Sequence, residues 1–160
     1  MAVASTEKNP GLRSTILRSL VRLALVRLGR PRATASVVLV GDEGIRALNR
    51  DYREVDRPTD VLSFSLADPA AIDDPTRPVF LGEIYVSIET ALRQARAARR
   101  PYPREVAHLV LHGLLHLLGH DHATPAERRR MAAAESRLMR ALRPQIAALG
   151  VSGRRGEVVR

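Results

Sequence analysis

Two periodicities alternate along the chain. Leu12, Ile16, Leu20, Leu23 and Val26 recur at three- and four-residue spacing, with Arg13, Arg22 and Arg27 between them. This predicts an amphipathic helix over 12–29, stopped at Gly29-Arg30-Pro31. The β-branched apolar run from Thr34 to Val40 predicts a strand. Asp42 stands where it can cap a helix through about Tyr52. After a loop with Asp56-Arg57-Pro58, the alternation Asp60-Val61-Leu62-Ser63-Phe64 predicts a short strand. Three prolines and three aspartates within 67–78 predict a surface loop. Val79 to Ser87 reads as a further strand and 88–99 as a helix. Pro103 opens a helix that runs to about Leu118 and stops at Gly119. Thr124-Pro125-Ala126-Glu127 is a capping box opening a last helix to about Leu149, with a kink expected at Pro144. The order predicts an α+β fold, a small mixed β-sheet covered by helices.

Composition narrows the class. At 160 residues the expectation is one domain over 1–150, followed by a basic, disordered tail over 151–160. Cysteine is absent, which excludes disulfides, thiolate metal sites and cysteine nucleophiles and suits a cytoplasmic location. No apolar run reaches the roughly 18 residues of a membrane span, and the N-terminus does not read as a signal peptide. Lys+Arg number 26 against 17 Asp+Glu, a net charge of +9. Lys8 is the only lysine, so the excess is arginine, whose planar fork matches phosphate. Nucleic acid is the partner this invites, although a GC-rich genome also enriches arginine. Aromatic residues at 3% argue against a base-stacking platform. Arg93, Arg96, Arg99, Arg100 and Arg104, and separately Arg128, Arg129 and Arg130, could each form a phosphate-binding face or a plain solvated helix face.

The informative segment is 108–122, which holds all five histidines of the chain. From Val106 to Leu118 every residue is apolar or glycine except His108, His112 and His116. A helix apolar nearly all round is buried, and its polar positions fall on one stripe. His112 and His116 lie one turn apart, a rise of about 6 Å, and can converge on one ion. His108 is too far from His116 to share it, about 12 Å along the axis. Gly119 can turn the chain back and bring His122 within reach. The expected metal ligands are therefore His112, His116 and His122, around one Zn2+ with an open coordination position. His108 is expected to support or pack, His120 to be exposed, and Asp121 to orient a ring or steady the turn.

The spacing also occurs in zinc proteases of the H-E-x-x-H-x-x-G-x-x-H pattern. Their general-base glutamate is replaced here by Gly113, which counts against peptide hydrolysis. A metal that activates water, in an arginine-rich protein, suits a phosphodiester better.

The block His112-Gly113-x-Leu115-His116-Leu117-x-Gly119-x-Asp121-His122 resembles the signature of the YbeY family of bacterial endoribonucleases. Leu48-Asn49-x-x-Tyr52-Arg53, Pro58-Thr59-Asp60-Val61-Leu62-Ser63-Phe64 and Leu81-Gly82-Glu83-Ile84 resemble further blocks of that family. The resemblance implies a zinc-dependent, single-strand-specific endoribonuclease of ribosomal RNA maturation and ribosome quality control. It implies processing at the 16S rRNA 3′ end, with ribosomal RNA and the small ribosomal subunit and its assembly factors as partners. His112 and His116 then serve as catalytic as well as ligating residues, and Arg53 is the functional arginine that steadies the scissile phosphate. A surface salt bridge with Glu54 or Asp56 is the alternative role for Arg53. Glu83 stands where the family often has aspartate, and Met1 to Ser5 matches the family's N-terminal strand poorly, so the sheet stands to lose an edge. Glu83, Asp121 and His120 remain open as general base. The competing functions are a metalloprotease-like hydrolase and a non-catalytic, zinc-containing ribosome-binding factor.

Overall fold

The computed structural model describes residues 3–5 and 11–150. The expected tail over 151–160 lies outside the described residues. Elements follow the order β1 (Val3–Ser5), α1 (Ser14–Arg27), β2 (Ala33–Val40), α2 (Asp42–Arg53), β3 (Val61–Ser65), α3 (Pro69–Asp73), β4 (Val79–Ser87), α4 (Ile88–Ala97), α5 (Tyr102–Leu117), α6 (Pro125–Ala141) and α7 (Arg143–Leu149). The strands form one mixed sheet in the order β1-β2-β4-β3. β1 and β4 flank β2 in parallel, and β3 closes the other edge antiparallel to β4. The expected α+β class holds, and the N-terminal edge is present after all, with Val3 opposite Val37. Backbone pairing to the regular run of β2 makes this strand, which a weak local pattern did not announce.

The two faces of the sheet are covered unequally. The main core joins α1, α5, α6 and α7 to the sheet through residues such as Leu17, Leu20, Leu39, Ile84, Leu111 and Leu115. A smaller cluster of Val40, Ile45 and Leu62 packs α2 on the opposite face, with Phe64 and Tyr85 beside it. Gly82, within β4, has φ of +141°, and a Cβ there would lie 2.0 Å from the Phe64 carbonyl oxygen. Only glycine lets β3 approach at that point.

Several local expectations need correction. Asp42 is the first residue of α2 and Gly41 is its cap. The Asp42 carboxylate instead accepts hydrogen bonds from Ser87 and Thr90 at the start of α4, both at 2.6 Å. The loop over 67–78 contains the short α3, capped by Asp68, which accepts from the Ala70 N–H at 2.9 Å. The last helix does not kink but breaks at Leu142, because Pro144 cannot continue the hydrogen-bond ladder. The apolar face of α1 buries Leu17, Leu20, Val21, Ala24 and Leu25, while Val26 is exposed. Its basic, amphipathic character therefore serves core packing. Among the described residues, no helix is long and apolar enough to cross a membrane.

Candidate metal centre and its cleft

The site is built on α5. Ten of its residues are buried, among them Val106, Val110, Leu111, Leu114 and Leu117. The half-buried His108, His112 and His116 form the polar stripe that the sequence predicts. Gly113 lets this helix lie flush on the sheet. A Cβ there would meet Ile84 Cγ2 at 2.7 Å and Ser63 Oγ at 2.9 Å. Ser63 in turn donates to the Gly113 carbonyl at 3.2 Å.

Gly119 ends the helix at φ of +93°, and the chain doubles back. The Gly119 N–H donates to the His116 carbonyl at 3.0 Å. The turn carries Asp121 and His122 over the C-terminal end of the stripe. The Asp121 carboxylate accepts from the His122 N–H at 2.7 Å and fixes this turn. The Thr124–Glu127 capping box then starts α6, as expected.

The three histidines expected to bind metal come together. Ring centroids lie 4.7 Å apart for His112–His116, 5.0 Å for His116–His122 and 6.2 Å for His112–His122. The Nε2 atoms of His112 and His116 face each other at 3.2 Å. Potential ligand atoms of His116, Asp121 and His122 all lie within 4.8 Å of one another. His108 stands apart, with its Nε2 turned to Glu135 at 3.4 Å.

Glu135 is the participant that sequence reasoning missed. It projects from α6, and its carboxylate contacts both His112 Nδ1 and His108 Nε2. The signal was present but faint. The buried stripe of α6 runs through Met131, Ala134 and Leu138. Position 135 belongs to that stripe, where an acid is out of place unless partnered. Burial opposes ionisation of Glu135, but hydrogen bonds from His108 and His112 outweigh it and hold the carboxyl down at about 2. Its hydrogen bond raises the pKa of His108 against burial. Burial, then the charges of His112 and His122, push His116 down, toward the neutral form that ligates metals.

The histidines open onto a cleft of about 890 Å³. Arg53, the last residue of α2, lines it as well. Arg53 is exposed, and among the described residues it makes no ion pair. Asp56, one of its expected alternative partners, is instead held by Arg46 at 2.9 and 3.2 Å. Two hydrogen bonds shape the loop between Arg53 and β3. The buried Asn49 donates to the Arg57 carbonyl at 2.9 Å, and Gln94 donates to Asp60 at 3.0 Å. Of the three general-base candidates, Asp121 lines this cleft. Glu83 lies beside Tyr85, to which its carboxylate is bonded at 3.0 Å, on the α2 side of the sheet. His120 is half-buried rather than exposed and lines a separate depression behind the turn.

Comparison with known proteins agrees with this geometry. The family model described as Endoribonuclease YbeY matches residues 6–143. A protein of that name from Anaeromyxobacter sp. is 46% identical over 143 residues, covering 88% of this chain and 72% of the relative. Another from Heliobacterium modesticaldum is 44% identical over 133 residues, covering 78% of this chain and 80% of the relative. The solution structure of a Thermotoga maritima protein superposes with a TM-score of 0.58 at 26% identity, over 97% of this chain and 100% of that one. With its histidine turn, its arginine-bearing cleft and a family match spanning most of its length, the chain belongs to the YbeY family of endoribonucleases.

Proposed function

We propose that residues 1–150 act as one zinc-dependent domain that cuts single-stranded RNA in the cytoplasm, during ribosomal RNA maturation and ribosome quality control. Its substrate in this reading is the 16S rRNA 3′ end, presented by the small ribosomal subunit and its assembly factors. The observation that carries the reading is the convergence of His112, His116 and His122 in a cleft also lined by Arg53, which makes no ion pair among the described residues.

The donor set fits the metal. Two nitrogens bound to one tetrahedral zinc, each at about 2.0–2.1 Å, stand roughly 3.3 Å apart. The two Nε2 atoms of His112 and His116 are 3.2 Å apart. Glu135 engages His112 Nδ1, which leaves Nε2 as the ligating atom. A divalent ion held there supplies Lewis acidity to a phosphoryl oxygen and activates water. Arg53 meets the scissile phosphate with its guanidinium fork and steadies the charge that grows on it as the bond breaks. Asp121 is the candidate proton acceptor, since it lines the cleft and its side chain is 62% exposed.

Two observations favour this reading over the competing functions. A protease base at position 113 has no room, because a Cβ there would lie 2.7 Å from Ile84 Cγ2 and 2.9 Å from Ser63 Oγ. A purely structural zinc is normally closed by four protein ligands. Here the rings border a cleft large enough for substrate.

The test is cleavage of a labelled RNA carrying the 3′ end of small-subunit ribosomal RNA. Chelation is expected to abolish cutting. Arg53→Ala is expected to lower it by about 100-fold or more while metal content and melting temperature hold. Cutting by Arg53→Ala at the wild-type rate, or no cutting by folded, metal-loaded wild type, overturns the proposal.

A further inference from the structure

Some arginines outside the cleft are accounted for. Arg93 pairs with Asp42 at 2.8 Å and Arg46 with Asp56. Among those without a carboxylate partner, four lie together. Arg100 and Arg104 lie just before and within the first turn of α5, and Arg140 and Arg143 lie where α6 meets α7. All four are exposed, and none has a carboxylate partner among the described residues. They line two adjoining depressions, of about 550 and 460 Å³, which share Arg104, Met139 and Arg140. The grouping crosses the clusters that linear sequence suggests. Arg100 and Arg104 leave the run on α4 and join residues from the other end of the chain. Met139 and Ile146 give the groove apolar walls.

The groove continues the metal stripe. Arg104, His108, His112 and His116 follow one another at four-residue intervals. Arg104 therefore stands about 12 Å behind His112 along the axis of α5. The one carboxylate lining either depression, Glu135, is already engaged by His108 and His112.

We propose that this groove is a second binding site for the substrate, taking phosphodiester groups of single-stranded RNA several nucleotides from the bond that is cut. Guanidinium forks match phosphate and also stack on bases, while apolar walls suit unpaired bases. A strand laid along α5 reaches both the histidines and the arginines, so the groove favours longer substrates over short ones. The proposal rests on the RNA-cleaving reading of the cleft, but its binding test does not require cleavage.

The test compares wild type with Arg104→Gln/Arg140→Gln. A control, Arg129→Gln/Arg137→Gln, removes the same charge from α6 outside both depressions. Binding of fluorescent 2′-O-methyl oligonucleotides, of about 4 and about 16 nucleotides, is followed against salt concentration. The groove variant should bind the short strand as wild type does and the long strand several-fold more weakly. For the long strand, the slope of log affinity against log salt should fall by about 1.4, or about 0.7 per lost phosphate contact. The control should change neither, and all three proteins should melt together because the substituted side chains are exposed. Unchanged long-strand affinity in the groove variant overturns the proposal, as does an equal loss in the control or at both lengths. Groove-dependent binding without cleavage of any RNA would sink the proposed activity and leave the groove standing. Cleavage of RNA with groove-independent binding would do the reverse.

Discussion

Gly113→Ala is the sharpest probe of how the metal helix is seated. The added methyl would lie 2.7 Å from Ile84 Cγ2 and 2.9 Å from Ser63 Oγ. Neither neighbour can swing clear. Ile84 is fully buried, its Cγ2 branches directly from Cβ, and β-branched side chains are stiff at χ1. Ser63 Oγ is tied to the Gly113 carbonyl. The helix itself must back away from β3 and β4. Overpacking of this kind costs about 1–3 kcal/mol, and two contacts below 3.0 Å put this case in the upper half. Alanine recovers about 1 kcal/mol through helix propensity. The net loss is then roughly 1–2 kcal/mol, a fall in Tm of about 2–8 °C for a chain of this size. Gly44→Ala is the matched control. It is an exposed glycine in α2 whose Cβ would meet Val40 at an ordinary 3.4 Å. There the propensity gain is unopposed, so stability should rise by up to about 1 kcal/mol. Urea unfolding of metal-free protein measures both without involving the ligands. If Gly113→Ala proves as stable as wild type, the close seating of α5 on the sheet is wrong. A glutamate side chain at 113 would then have room as well.

Two further outcomes follow from hydrogen bonds. Glu135→Ala frees His112 Nδ1 and should weaken zinc binding by about 10–100-fold in competition with a chromogenic chelator; wild-type affinity would remove Glu135 from any supporting role. Asp42→Ala leaves the fully buried Ser87 hydroxyl without its acceptor and should cost about 1–3 kcal/mol at neutral pH. Burial opposes the Asp42 charge, but hydrogen bonds from Ser87, Thr90 and Arg93 hold its carboxyl below its ordinary 3.8. Its contribution is therefore complete above 3.8 and drains away as the pH falls through the lower folded value. The stability gap between wild type and Asp42→Ala should stay level from pH 7 down to about 4 and narrow below it. A gap that widens in acid would refute this assignment.

Local rules made most elements legible, and their failures have local causes. The β2 and β4 strands, the α5 stop at Gly119 and the Thr124 capping box depend on neighbours in sequence, and each lies where its residues place it. β1 depends on pairing with β2, so Val3–Ser5 carries little signal of its own. The misplaced cap at Asp42 has a similar origin. A carboxylate beside a helix start is attracted to N–H groups, but Ser87, Thr90 and Arg93 offer it stronger partners from a distant part of the chain.

The same division runs through the site. His112, His116 and His122 were legible because one helix turn and one glycine bring them together, and both are local devices. Their support was not. Glu135 arrives on another helix, Asn49 and Gln94 shape the Arg53 loop from two more, and Ser63 holds Gly113 from a strand. No spacing rule connects these positions. What does connect them is the cost of burying a polar group. An imidazole on a buried helix needs an acceptor, and an acid on the apolar stripe of α6 needs donors. Each is the solution to the other's deficit. Before any fold is known, the two exceptions can be matched as a pair: a histidine stripe on one apolar helix and a glutamate with no capping role on the inward face of the next. In this chain α6 carries two acids at that spacing, Glu127 and Glu135; the capping box with Thr124 already occupies the first, so the matching selects Glu135.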